Sequence, residues 1–334
     1  MIQRIKGLII LLSIAVFVIS CGDNNSTTSS LTKGLPGSCG KTLEVVLVVE
    51  DNVYTPEIRD SIGKCFEKAC QDLPQREPEF DIVQLTPSKF NNSDLLKKHR
   101  NIIIIDMQAG NNNTIKKGID DKVYPQSVFR ISVDNKDSLL SILHQYAPTM
   151  RQQFKTNEHK RMYVAFKKDE NVNLTEKINK KYGIKLTFSS AFYIAKNDKD
   201  FMWIRKETTN ESYNVMIYQV PYTSEKLFNQ DKIIETRDKI SKQYIPGSIR
   251  NSYMGTETRV DVHRDSVRIG NYTAVETRGL WRLFGDFMGG PFINYCFLNT
   301  KTNKLIMIDC FLYAPRKEKR DFLMQLESVV YNIQ

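Results

Sequence analysis

The sequence predicts an α+β fold with largely antiparallel sheets and packed helices, built as two α/β sandwich-like units. Apolar, β-branched runs such as Leu43 to Val49 and Asn101 to Met107 read as strands buried on both faces. Between such runs lie stretches with apolar residues at three-to-four spacing, which read as helices. From Arg259 to Tyr313 strands follow one another through tight turns, the antiparallel pattern. Of 334 residues, 41% are hydrophobic and 26% charged, which excludes disordered and collagen-like classes.

The first twenty residues are expected to be a targeting segment. Arg4 and Lys6 precede an uncharged, mostly apolar stretch of fourteen residues, Gly7 to Ser20. A bilayer span needs about 20 apolar residues, so this one is too short. Val18-Ile19-Ser20-Cys21 resembles a bacterial lipobox. That resemblance implies removal of residues 1–20, a diacylglycerol on the Cys21 sulfur and an acyl chain on its new amino group. Residues 21–40 are expected to form a flexible polar tether, since Gly22 to Ser30 contains no apolar residue. Several acyl chains, at about 0.8 kcal/mol per buried methylene, anchor a protein stably.

The body divides into a unit over 41–157 and a second over 158–334. In the first, Leu43 to Val49 is a strand. Thr55-Pro56 opens a helix carrying Ile58, Ile62, Cys65, Phe66, Ala69 and Leu73 on one face, ended by Pro74. Strands follow at Phe80 to Leu85, Asn101 to Met107 and Val128 to Val133. Asn135 caps a helix that Pro148 should bend or end. In the second unit, Arg161 to Phe166 reads as a strand and Leu174 to Tyr182 as a helix stopped by Gly183. Leu186 to Ala195 and Phe201 to Glu207 form a hairpin, and Tyr213 to Val220 the next strand. Ser224 starts a long helix that Pro246-Gly247 stops. Four strands, Arg259 to Ile269, Thr273 to Trp281, Phe292 to Asn299 and Leu305 to Tyr313, precede a terminal helix after Pro315. Its basic set Arg316, Lys317, Lys319 and Arg320 reads as a solvated face or an anionic contact. The order strand–helix–strand–strand near 43–107 and again near 161–207 suggests a diverged repeat. The element order of the C-terminal part resembles the PsbP and Mog1 type of sandwich.

With Cys21 acylated, five cysteines remain. Cys65 and Cys70 diverge on a helix, and a turn centred near Thr302 sets Cys296 against Ile308 rather than Cys310. No disulfide is therefore expected. The four histidines form no ligand cluster and no CxxC is present, so no metal and no cofactor are expected. Losing Arg4 and Lys6 leaves 46 basic and 38 acidic residues, a formal charge of +8 on a mature chain of 314 residues. That balance suits anionic headgroups or an anionic polymer. Nucleic acid is not expected as a partner, because no recognition motif occurs.

One segment stands out as a candidate ligand site. Arg278-Gly279-Leu280-Trp281 is followed by Gly285-Asp286-Phe287-Met288-Gly289-Gly290-Pro291-Phe292. Read as a loop, it lets Gly289 and Gly290 adopt backbone shapes closed to other residues. Arg278, Trp281, Asp286 and Met288 could then line a ligand cleft, with Glu257 nearby. The alternative is a loop packed as a plug on the sheet. Neither a P-loop nor a GxSxG elbow is present. Elsewhere Arg205 and Glu207 share a strand face, and these two and the Arg237-Asp238 pair are expected to form salt bridges.

The lipobox, Leu73-Pro74-Gln75 with Glu77-Pro78 and Phe80-Asp81, His99-Arg100-Asn101, Trp203-Ile204-Arg205-Lys206-Glu207, Ile245-Pro246-Gly247, Arg278-Gly279-Leu280-Trp281 and Met288-Gly289-Gly290-Pro291-Phe292 together resemble one family. It is a Bacteroidetes lipoprotein family known as domain of unknown function 4837. The resemblance runs over nearly the whole mature chain and implies a cell-envelope lipoprotein, with no catalytic residue to carry over. The tether holds one acid, Asp23, which favours an outer-membrane anchor facing the periplasm. The expectation is thus a membrane-anchored, non-enzymatic binding or scaffolding module for an envelope protein or anionic polymer. The alternative is an envelope enzyme acting on a polymer or lipid at the 278–292 segment.

Overall fold

The structure, a computed structural model, describes residues 34–334. Residues 1–33, which hold the expected signal peptide, Cys21 and most of the expected tether, lie outside the described residues. The end of the expected tether belongs to the body: Gly37 bridges Tyr124 and Cys39 bridges His99. Gly40 has φ +106°, and a Cβ there would stand 2.2 Å from His99 Nε2, so only glycine fits this approach.

The elements are β1 (Glu44–Val48), α1 (Pro56–Phe66), β2 (Asp81–Leu85), α2 (Pro87–Asn91), α3 (Asp94–Lys97), β3 (Asn101–Met107), β4 (Thr114–Ile119), β5 (Ser127–Val133) and α4 (Lys136–Lys168). There follow α5 (Val172–Tyr182), β6 (Tyr193–Asp198), β7 (Phe201–Glu207), β8 (Ser212–Pro221), α6 (Gln230–Tyr244), β9 (Tyr253–Thr256), β10 (His263–Ile269), β11 (Tyr272–Phe284), β12 (Gly289–Asn299), β13 (Lys304–Tyr313) and α7 (Arg320–Tyr331). The fold is α+β with two sheets. The larger has the order β10-β11-β12-β13-β8-β7-β6, with β9 also on β11, and is antiparallel throughout. The smaller has the order β2-β1-β3-β5-β4; its first four strands run parallel and β4 antiparallel. Parallel pairing follows from the helical crossovers and from strands apolar on both faces. Val45, Leu47 and Val49 face a core shared with α1 and α4, while Val46 and Val48 face a second one with Phe90.

The larger sheet is covered on both sides. α5 and α7 bury Ile178, Tyr182, Leu326 and Val330 against one face. The other face, carrying Phe201, Trp281, Phe292 and Phe311, lies under α6.

Several local expectations are corrected. Arg161 to Phe166 is not a strand but the end of α4, a helix of 33 residues that contains Pro148. Phe154, Glu158, Met162 and Phe166 recur every four residues and are all buried, which is helical periodicity. The helix runs through the expected boundary at 157/158, and the suggested repeat is not formed. α1 ends at Phe66, so Cys70 lies beyond it, in a segment where Ala69 bridges Pro78. The helix expected from Ser224 is split into a 3₁₀ turn, Glu225–Phe228, and α6. Cys296 sits opposite Met307, one residue from the expected partner, because the turn centres between Lys301 and Thr302. All five described cysteines are free.

A polar seam joins the two units. The Glu77 carboxylate accepts from the Lys319 and Arg320 backbone N–H groups at 2.7–2.8 Å, where α7 begins. It thereby satisfies donors that a helix start leaves without partners. The Arg320 guanidinium donates to Pro78 O and Asp81. Lys319 and Arg320 are buried, so only Arg316, Lys317 and Glu318 of that stretch are solvated. On the far side of the seam His159 stacks on Tyr331 at 4.2 Å and bonds Ser328 Oγ. Beneath lies a buried ion pair in which Arg100 Nε donates to Glu158 at 2.7 Å. Arg100 also donates to the carbonyls of Gly40 and Lys41, which ties the incoming chain to α4.

Two outcomes are expected. Glu77→Ala leaves buried N–H donors unpaired at the seam and should lower unfolding free energy by about 2–3 kcal/mol in urea denaturation. Burial pushes His159 down to about 4, with Glu327 opposing. The unfolded chain therefore binds the proton first, and stability should fall as pH drops from about 6.5 toward 4. His159→Gln should flatten that part of the stability–pH curve.

Candidate binding groove

The segment over 278–292 is not a loop. Its residues form the β11–β12 hairpin, with Arg282 opposite Gly289 and a turn over 285–288. Only Gly285 has a positive φ, +81°. Gly289 and Gly290 are strand residues, and they are glycines for lack of space. A Cβ on Gly290 would stand 2.1 Å from Leu312 O, and one on Gly289 2.9 Å from Trp281 O. The buried Trp281 lies across the strand from Gly290 and donates its indole N–H to Leu312 O at 3.1 Å. The glycine pair therefore makes room for the neighbouring strand and the indole.

The expected site residues are separated. Arg278 and Trp281 are three apart on one strand and so point to opposite faces of the sheet. Arg278 turns toward α7, with Nε 2.6 Å from Glu276 and Nη1 2.9 Å from Glu327. Burial alone would raise the Glu327 carboxyl, but Arg278 holds it below its ordinary value. Arg278 thus sits in a polar cleft of about 720 Å³ between α4 and β10, with its charge already answered. Glu257 pairs with Arg259 and Arg282, and the bonds from Arg259 hold it down to about 2. Asp286 accepts from the Ser248 N–H and hydroxyl and from Phe287 N–H, which lowers its carboxyl. Arg278, Asp286 and Glu257 do not converge.

Trp281 and Met288 instead join a different set. On the α6 side of the larger sheet is a groove of about 420 Å³. One wall is β7 and β8, with Trp203, Arg205, Glu207 and Asn214. Opposite are Ile245 to Ser248, just past α6, and the hairpin residues Trp281, Leu283 and Met288. Phe311, Tyr313 and Pro315 close its end. The two-residue period of β7 puts Trp203, Arg205 and Glu207 on one face, as their sequence spacing implies. Trp203 donates its indole N–H to Asn214 at 3.1 Å, and the Arg205 guanidinium lies 4.7 Å from the Trp203 ring centroid. Arg205 Nη2 pairs with Glu207 and bonds Ser212, while its buried Nε has no acceptor among the described residues. Trp203, Tyr313 and Met288 are half-buried, Pro246 and Pro315 exposed.

Arg205 and Glu207 form the salt bridge expected of them, and their sequence positions do not join them to Trp281. The shared signal was present in the motifs Trp203 to Glu207, Ile245 to Gly247 and Trp281 to Met288. What brings them together is the strand order, since β7 and β11 stand four places apart in the sheet. Among the described residues no group of His, Cys, Asp or Glu could hold a metal ion, and no helix is long and apolar enough to cross a membrane.

No curated protein matches this chain. Among solved structures, a mutant of the protein Mog1 is similar with 9% identity and a TM-score of 0.30, over 46% of this chain and 92% of its own. The Saccharomyces cerevisiae Ran-binding protein Mog1p gives 10%, 0.27, 46% and 91%. Mycobacterium tuberculosis LpqN, described as involved in cell envelope biogenesis, gives 8%, 0.28, 45% and 82%. The family resemblance expected over nearly the whole mature chain is divided between two families. Residues 38–167 match a domain of unknown function (DUF8532), and residues 171–332, which hold the whole groove, match a domain of unknown function (DUF4837).

Proposed function

We propose that this protein is a cell-envelope lipoprotein, anchored through Cys21 in the outer membrane and facing the periplasm, whose body is a non-enzymatic binding module. Its ligand is a polar segment of an envelope polymer, a glycan strand above all, held in the groove between β7 and the β11–β12 hairpin. One observation carries this reading. Segments at 203–214, 245–248, 281–288 and 311–315 converge on a single concave surface with aromatic walls. Pyranose rings offer flat C–H faces to indole and phenol rings, and their hydroxyls suit planar polar side chains such as Arg205, Glu207 and Asn214. The carboxylates near the hairpin support binding over catalysis, because each is already engaged in an ion pair or a hydrogen-bonded turn. The anchor rests on the sequence Val18-Ile19-Ser20-Cys21 and the net charge of the mature chain.

Two measurements test the reading. Cys21→Ala should move the protein from the membrane fraction to the soluble periplasmic fraction; retention in the membrane would remove the anchor. The mature chain should co-sediment with purified peptidoglycan sacculi, and Trp203→Ala should weaken that binding by about tenfold or more. Equal binding by the variant, or none by the wild type, would count against a glycan ligand in the groove.

A further inference from the structure

Phe287 is 102% exposed, a value that leaves its whole ring in water. An isolated exposed apolar residue is ordinary, but this one has company. Asp286 bonds the Ser248 N–H and hydroxyl, which fixes the 285–288 turn against the 245–252 turn, where Ile249 is 51% exposed. Behind them Tyr253 and Phe284 stack at 5.3 Å. Lys242 Nζ lies 4.6 Å from the Tyr253 ring centroid, and the Arg282 guanidinium 5.0 Å from that of Phe284. Arg250, next to Ile249, is exposed. The tip is thus two apolar side chains in front, an aromatic layer behind, and Lys242 and Arg250 beside it, while Arg282 is shared with Glu257 at 3.7 Å. The acid in the turn, Asp286, is spent on holding the turns together. Tyrosine and phenylalanine backed by lysine and arginine is the composition of a surface that sits at a lipid headgroup boundary.

We propose that the paired turns at Phe287 and Ile249 form an interfacial docking tip for an anionic lipid bilayer, separate from the lipid on Cys21 and from the groove. Phe287 and Ile249 enter the headgroup–acyl boundary, and Lys242 and Arg250 meet lipid phosphates. Because Ser248 and Met288 are also groove residues, docking holds the groove mouth next to the membrane. The tip requires no groove ligand.

The test uses the mature chain carrying Cys21→Ser, so that no acyl chain contributes. It should co-sediment with vesicles of 70% phosphatidylcholine and 30% phosphatidylglycerol, and about tenfold less with phosphatidylcholine alone. The double variant Phe287→Ala/Ile249→Ala should lose binding to the anionic vesicles by about tenfold or more while keeping its melting temperature and its sacculus binding. Arg250→Gln should lose affinity on anionic vesicles and shift little on neutral ones. Vesicle binding unchanged in the double variant, no binding by the wild type, or loss of sacculus binding together with vesicle binding would each overturn the docking tip. Loss of sacculus binding in Trp203→Ala alone bears on the groove and leaves the tip standing.

Discussion

Arg237 and Asp309 are both fully buried, and their ion pair fixes the position of α6 on the larger sheet. Arg237 Nε donates to Asp309 at 2.8 Å, its Nη1 donates to Thr256 at 3.1 Å, and its guanidinium lies 3.7 Å from the Phe292 ring centroid. Asn294, across the strand pair from Asp309, donates to the same carboxylate. Burial raises the Asp309 carboxyl, and Arg237 pulls against that rise. A buried pair of this kind adds little net stability over an apolar pair, but losing one partner costs about 3–5 kcal/mol. Its effect here is positional. It sets α6 over β12 and β13, and through Thr256 and Asp238 it sets β9 beside β11. The Ile245 to Ser248 wall of the groove begins where α6 ends, so the pair also helps to position that wall.

The same device recurs at the seam. Arg100 and Asn101 both donate to Glu158, which fixes the incoming chain and β3 to α4, and Glu77 fixes the start of α7. Each charge has several partners, so each contact is specific in direction as well as sign. α4 then belongs to both units: its first half covers the smaller sheet, while Met162 and Phe166 enter the core of the larger one. This is why a helix with a proline inside it continues. The helical face it buries outweighs the backbone hydrogen bond that Pro148 removes.

Much of the fold was legible because burial imposes a period. The runs at Leu43 and Asn101 and the strands from Thr273 to Tyr313 are recovered to within a few residues. The failures have a common cause. Arg161 to Phe166 is a short apolar run, which taken alone fits a buried strand as well as a helix; its place in the four-residue period from Phe154 and the packing of Met162 and Phe166 decide for helix. The parallel pairing of β1, β2, β3 and β5 depends on crossovers that local pattern does not encode. Of the candidate site residues, Trp281 and Met288 line the groove; their aromatic and glycine-rich surroundings mark close packing. Arg278 was grouped with them by proximity in sequence, although an odd spacing on a strand sends it to the other face. Tyr313 and Pro315 carry no local signal at all; they enter the groove because β13 lies between β12 and β8.

The chain holds two tryptophans, and their indole N–H groups report on the groove separately. Trp203 bonds Asn214 at the half-buried wall, and Trp281 bonds Leu312 O in the buried floor. Titration of the ¹⁵N-labelled chain from residue 22 onward with soluble peptidoglycan fragments, followed by the two indole resonances, therefore addresses the groove directly. A saturable shift of the Trp203 signal, larger than that of Trp281, is the predicted result. Saturation of binding with both indole signals unmoved would contradict the groove as the ligand site.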